Sequence, residues 1–208
     1  MRGLLIFAAA LFGALFMIEI VAACGAWWLH GQGRYDDEIA WFEEMKPMLV
    51  LDLGLEGRIA GLYRGRIRRE LMEGHLDRAA RALRLARARA RSLGTSPDTE
   101  LIALGIETFT RAADRLEAHG RLSLAADWDD SLFVLAVRAP EPRHRYAALA
   151  AFMEGLDLRA RDGKPCAALA RIAWAKRGLG GQVPGLQSNV EEDLSLQCHL
   201  SRRTGRER

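Results

Sequence analysis

The chain has 208 residues, is 50% hydrophobic and carries a formal net charge of +3. Apolar residues are abundant and opposite charges nearly cancel, which excludes an intrinsically disordered chain. The basic side chains are almost all Arg, with Lys only at Lys46, Lys164 and Lys176. They are spread along the chain and not gathered into the basic domain that would point to nucleic acid.

From Leu4 to Leu29 the chain is apolar except for Glu19. Roughly 20 such residues cross a bilayer as a helix. Arg2 precedes the run, and Asp36, Asp37, Glu38, Glu43 and Glu44 follow it. The positive-inside rule then sets the N-terminus in the cytoplasm and the body outside. The apolar core of a secretory signal is about 7–15 residues, shorter than this run, and Trp27-Trp28 fall where an interfacial aromatic belt would lie. Residues 1–30 are therefore expected to be an uncleaved anchor in the inner membrane, with a periplasmic body. The alternative is a lipoprotein signal: Val21-Ala22-Ala23-Cys24 has the small-residue pattern of such a cleavage site, with lipid on Cys24. Glu19 is costly in lipid, so it faces another membrane helix or snorkels to the interface.

Beyond the anchor, residues 31–56 read as a juxtamembrane helix and linker, 57–200 as a helical domain and 201–208 as a disordered basic tail. Apolar residues recur at three- and four-residue spacing, which predicts helices near 36–46, 57–73, 75–93, 98–119, 121–138, 143–161, 164–177 and 189–200. Ala79, Ala82, Leu83, Ala86, Ala90 and Leu93 form one stripe, opposed by Arg81, Arg84, Arg87 and Arg91. Gly94 is placed to end that helix, and Ser96-Pro97-Asp98 to start the next. Ala139-Pro140-Glu141-Pro142 is a break, Asp162-Gly163 a turn, and Gly178 to Gly185 a loop.

Three segments share a template in which an aromatic residue is followed by Gly after eleven positions and Ala after five more. They are Tyr63/Gly74/Ala79, Phe109/Gly120/Ala125 and Phe152/Gly163/Ala168, with Ile67, Ala113 and Leu156 four positions after the aromatics. One helix carries a large side chain, Gly permits the turn, and small Ala lets the returning helix approach. The pattern resembles the tetratricopeptide repeat over about residues 57–177, best in Glu73 to Ala86 and next in Asp162 to Ala175. The middle unit departs from it, with Asp129 where a large apolar residue belongs. The Gly-to-Gly spacings, 46 and then 43 residues, also exceed the family's 34.

The fold class is thus expected to be all-α: an anchor helix, a stack of antiparallel helix pairs forming a TPR-like solenoid, and a C-terminal capping helix. In that family the first helices of the repeats line a concave partner groove. The resemblance places Arg64 and Arg68 there, four apart on one face and able to clamp a carboxylate. The other reading of these arginines is exposed solubilising charge, or ion pairing with the acidic neighbouring unit.

Cys166 and Cys198 remain as an even pair in an oxidising compartment. If their helices pair antiparallel, a disulfide joins them; otherwise they are separate thiols. The five histidines show no metal-ligand spacing. Asp127, Asp129 and Asp130 surround Trp128 and read as a solvated helix face. No nucleophile elbow, phosphate loop or Cys–His pair is present. The chain is expected to be no enzyme and to need no cofactor, metal or small-molecule substrate. Its partners are expected to be other envelope proteins, held in a membrane or secretion complex. Two alternatives stay open: an accessory subunit acting through Glu19, and an envelope enzyme with an unrecognised site.

Overall fold

The computed structural model describes residues 2–48, 55–95 and 98–204; the side chains of residues 2–9 and of Met48 lie outside that description. Among the described residues the chain is all helical. In chain order the helices are α1 (Arg2–Gly31), α2 (Tyr35–Met45), α3 (Leu55–Met72), α4 (Leu76–Ser92), α5 (Thr99–Ala118), α6 (Leu122–Ala136), α7 (Pro142–Arg161), α8 (Pro165–Leu179) and α9 (Ser188–Thr204). Lys46–Met48 add a 3-10 turn after α2.

Each helix packs against the next, as short connections require. In addition α3 touches α5, and α5 touches α7. The template glycines make the turns. Gly74, Gly120 and Gly163 have φ of 74°, 70° and 75°, a left-handed conformation that costs a side-chain-bearing residue about 1–2 kcal/mol. Around each the same two bonds close the helix. His75, Arg121 and Lys164 donate their N–H to Glu70, Leu116 and Arg159, and each Gly donates to the carbonyl three residues back.

Burial follows the template. Ala79, Ala125 and Ala168 are fully buried, and so are Ile67 and Phe152; Phe109, Ala113 and Leu156 are nearly so. Tyr63 is partly buried, at the seam between two apolar clusters. Small residues allow close approach elsewhere as well. A methyl group at Gly105 would run into Leu135 and come within 3.0 Å of Leu83 Cδ2. Gly155 lies against Asp129 Cβ, with only 3.2 Å for an added methyl.

Two boundaries differ from the sequence reading. Ser96 and Pro97 lie outside the described residues, and the cap of α5 is Asp98, whose Oδ1 accepts from Leu101 N–H at 2.7 Å. The last helix runs on to Thr204, past Ser201 where the polar tail was expected to begin.

The outer end of α1 is packed into the fold. Ala22, Ala26 and Leu29 are buried, and Ala26 belongs to a small core with Ile39, Phe42, Leu55, Ile59 and Leu62. Trp41 Nε1 donates to the Ala22 carbonyl at 3.1 Å. Gly25 makes room for that ring, since a Cβ there would meet Trp41 Cε2 at 2.8 Å. At the other end of the pair His30 Nδ1 is 3.1 Å from Glu38 Oε2. These contacts fix α2 antiparallel to α1.

Candidate functional site

The last turns of α5 and the first turns of α4 and α6 enclose a groove of about 720 Å³, within the range of about 300–1,000 Å³ of ligand clefts. Its cationic lining is Arg78 and Arg81 from α4, Arg115 from α5 and Arg121 at the start of α6, with His75 and His119 at the turns. Among the described residues no carboxylate ion-pairs with any of these four arginines. Asp77 is the one carboxylate in the lining. Leu76, Leu124 and Trp128 add apolar surface between the charges. The residues opening α4 and α6, His75 and Arg121, give no side-chain cap, so cations stand where Ser or Asp usually sits. The arrangement attracts anions, with four arginines against the single carboxylate of Asp77 in the lining.

Arg64 and Arg68 differ from this set. Arg64 Nε lies 3.0 Å from Glu100 Oε2, Arg64 also pairs with Asp98, and Arg68 pairs with Glu100. They tie α3 to the start of α5, the ion pairing with the acidic neighbouring unit that the sequence also allows.

A second cluster is buried. Asp129 and Asp130 are only 4% and 7% exposed. The expected solvated face therefore describes Asp127 alone. Asp129 and Asp130 follow the fully buried Ala125 and Ala126 by four residues, so they fall on the same inward stripe. Arg159 Nη2 from α7 donates to Asp130 Oδ2 at 2.6 Å and to Asp127 Oδ1 at 2.9 Å. Arg171 from α8 places Nε 2.9 Å from Asp130 Oδ2 and its guanidinium 3.9 Å over the Trp174 ring. Asp129 Oδ2 has no hydrogen-bond partner. Burial is the main cause that pushes Asp129 up to about 7, helped by Glu154, Asp130 and Asp114 and opposed by Arg159. Burial also raises Asp130, against the pull of Arg159 and Arg171. The cluster joins α6, α7 and α8 through charge. The repeat template holds the signal for it, because Asp129 occupies the register of Leu83 and Ile172, both fully buried.

Cys166, at the start of α8, is bonded to Cys198 in α9, with Cα atoms 4.7 Å apart. The α8–α9 pairing brings start to end, as antiparallel packing requires. Cys24 is a free, exposed thiol. Glu19 is half-buried on α1.

One group could offer ligands to a metal ion: donor atoms of Glu70, Glu73 and His75 all lie within 4.8 Å of one another. Their local ion pairing already engages them. His75 Nδ1 is 3.1 Å from Glu70 and 3.3 Å from Glu73, and Arg69 Nε donates to Glu73 at 2.9 Å. Sequence spacing gives no hint of this group, because Gly74 and its turn bring the three together.

These features define a class: among the described residues, an all-helical chain of adjacently packed helices, with one stretch, Ala10–Gly31 of α1, long and apolar enough to cross a membrane. Compared with known proteins, the chain matches no family model, no curated protein and no solved structure.

Proposed function

We propose that this chain is a single-pass, membrane-anchored helical-repeat scaffold of the bacterial envelope that binds and assembles partner proteins. The observation that carries the reading is the fold-back of α2 along the outer end of α1. It makes the apolar helix and the body one packed unit, and it supports a lipid boundary below α2. Antiparallel pairing sets the last turn of α2, with Glu43 and Glu44, beside the residues just before Ala22. Such charges do not enter hydrocarbon. The span is then about Leu4 to Ile20, at the short end of the ~17–25 residues that cross a bilayer. Glu19 lies at its outer edge, within snorkelling reach of the headgroups.

This moves Trp27 and Trp28 off the interface. They are 80% and 54% exposed and belong to the body, above the bilayer. The Cys166–Cys198 bond fits a body in an oxidising compartment. In the repeat reading α3/α4, α5/α6 and α7/α8 are three hairpins, and the α3–α5 and α5–α7 contacts are the stacking of their first helices. α9 covers the end of the stack and is stapled there. A scaffold needs a surface whose charge its own chain leaves unmatched, and the arginine groove is such a surface.

Two measurements test the reading. Single-tryptophan variants retaining Trp27 or Trp28 are reconstituted in bilayers with bromine on the acyl chains. We expect little quenching; strong quenching at either ring would place the lipid boundary above α2 and refute the packed-unit geometry. In cells, a photo-crosslinker at Leu124 is expected to give the same envelope-protein adduct repeatedly. Absence of any reproducible adduct would refute the scaffold role.

A further inference from the structure

We propose that the groove between α4, α5 and α6 is a docking site for an acidic peptide segment of a partner protein, one that alternates carboxylate and apolar side chains. The proposal rests on the anchored-scaffold reading above and names the partner chemistry.

Charge is the first argument. Arg78, Arg81, Arg115 and Arg121 line one groove from three helices, and among the described residues none of them ion-pairs with a carboxylate, Asp77 in the same lining included. Arg64, Arg66, Arg68, Arg69, Arg89, Arg111, Arg159 and Arg161 have acidic partners. Other arginines without one among the described residues, such as Arg58, Arg84 and Arg91, do not line the groove, and what sets these four apart is that they converge on it. Unmatched like charges repel one another, a cost that an anionic occupant removes. The guanidinium fork matches carboxylate bidentately.

Shape and composition are the second. The four arginines reach the groove from three helices around a volume of about 720 Å³, far more than a single small anion fills. Leu76, Leu124 and Trp128 sit among the arginines, and Leu124 is 43% exposed. A bare phosphate gains nothing from that apolar surface. A peptide with interleaved apolar side chains buries it, and Trp and Arg are the residue types that most often dominate such contacts.

Position is the third, and it separates a peptide from the chain's own membrane. Arg69, in the last turn of α3, donates to the Gly33 carbonyl at 2.8 Å. The Gly74 turn at the mouth of the groove is therefore level with the top of α1. Residues Ile20 to Gly33 lift that level roughly 20 Å above the hydrocarbon at 1.5 Å per residue. The headgroup layer is only about 5–8 Å thick on each side, so the lipids around α1 do not reach the arginines.

The test uses the full chain in nanodiscs of zwitterionic phosphatidylcholine and a fluorescent peptide alternating Glu and Leu. We expect saturable, salt-sensitive binding. It should weaken by roughly tenfold or more in Arg81→Glu/Arg115→Glu, in line with loss of charge-assisted pairs, and be unchanged in Arg84→Glu, which lies on α4 outside the groove. A peptide with Gln for Glu leaves the protein untouched and should not bind. Equal binding of the Gln peptide, or of the double variant at an unchanged thermal midpoint, overturns the proposal. So does an absence of binding to the wild-type chain. Recruitment of added phosphatidylglycerol vesicles through Arg81 and Arg115, with no peptide binding, overturns it in favour of a lipid site. The anchored reading fails separately: if α1 does not hold the chain in the nanodisc but the peptide still binds, the anchor is wrong and the groove assignment stands.

Discussion

Asp129 gives the sharpest test of the structure. Its carboxyl is 4% exposed, sits in the register of Leu83 and Ile172, and has an oxygen without a hydrogen-bond partner. It titrates at about 7 in the folded chain, against an ordinary value of 3.8. Between those two values the folded chain holds a proton that the unfolded chain has released, so stability falls as pH rises through that window. Each pKa unit is worth about 1.4 kcal/mol, so the full penalty above pH 7 is on the order of 4 kcal/mol. Asp129→Asn keeps the shape and removes the charge. Its amide still needs partners, so the net gain at pH 8 is expected at roughly 2–4 kcal/mol. At roughly 2–4 °C per kcal/mol for a chain of this size, that is a clear rise in the thermal midpoint of the full chain in mild detergent. The difference from wild type should shrink steadily below pH 7 and nearly vanish near pH 4. An equal midpoint at pH 8, or a difference that grows toward low pH, would refute the buried, uncompensated carboxylate.

Other expectations follow from single contacts. Gly105→Ala should destabilise the chain by about 1–3 kcal/mol, read as a lower thermal midpoint, because the added methyl meets Leu135 and Leu83. Gly25→Leu should push Trp41 from its seat against α1, seen as faster proteolysis in α2 while α5 to α8 stay protected. Cys166→Ser, or reduction of the chain, should cost about 3–4 kcal/mol in the chain-entropy model, given a separation of 32 residues. Its signature would be selective release of α9 in hydrogen exchange. Arg68→Ala should change stability by well under about 1 kcal/mol, since its pair with Glu100 is exposed; a larger loss in the thermal midpoint would show that the α3–α5 tie matters more than its exposure implies.

Local signals determined much of this protein. Length and apolarity determined α1, three- and four-residue periodicity determined the body helices, and glycines in one register determined where they turn. Each of these depends only on neighbours a few positions away, so a linear string carries it. The disulfide was legible one step further, because antiparallel packing of adjacent helices brings Cys166 to Cys198.

Other features depend on distances between helices. Asp129 and Asp130 look like surface residues next to Asp127, yet α7 and α8 cover them. Arg64 and Arg68 are groove candidates by resemblance, and only the packing of α5 on α3 shows that Asp98 and Glu100 lie within their reach. Trp27 and Trp28 lie at the end of α1 that α2 packs against, a contact that the linear string does not carry. The groove of Arg78, Arg81, Arg115 and Arg121 has no linear signature, because its members come from three helices. Pairing and burial are set by which helix lies alongside, and the tertiary structure alone decides that.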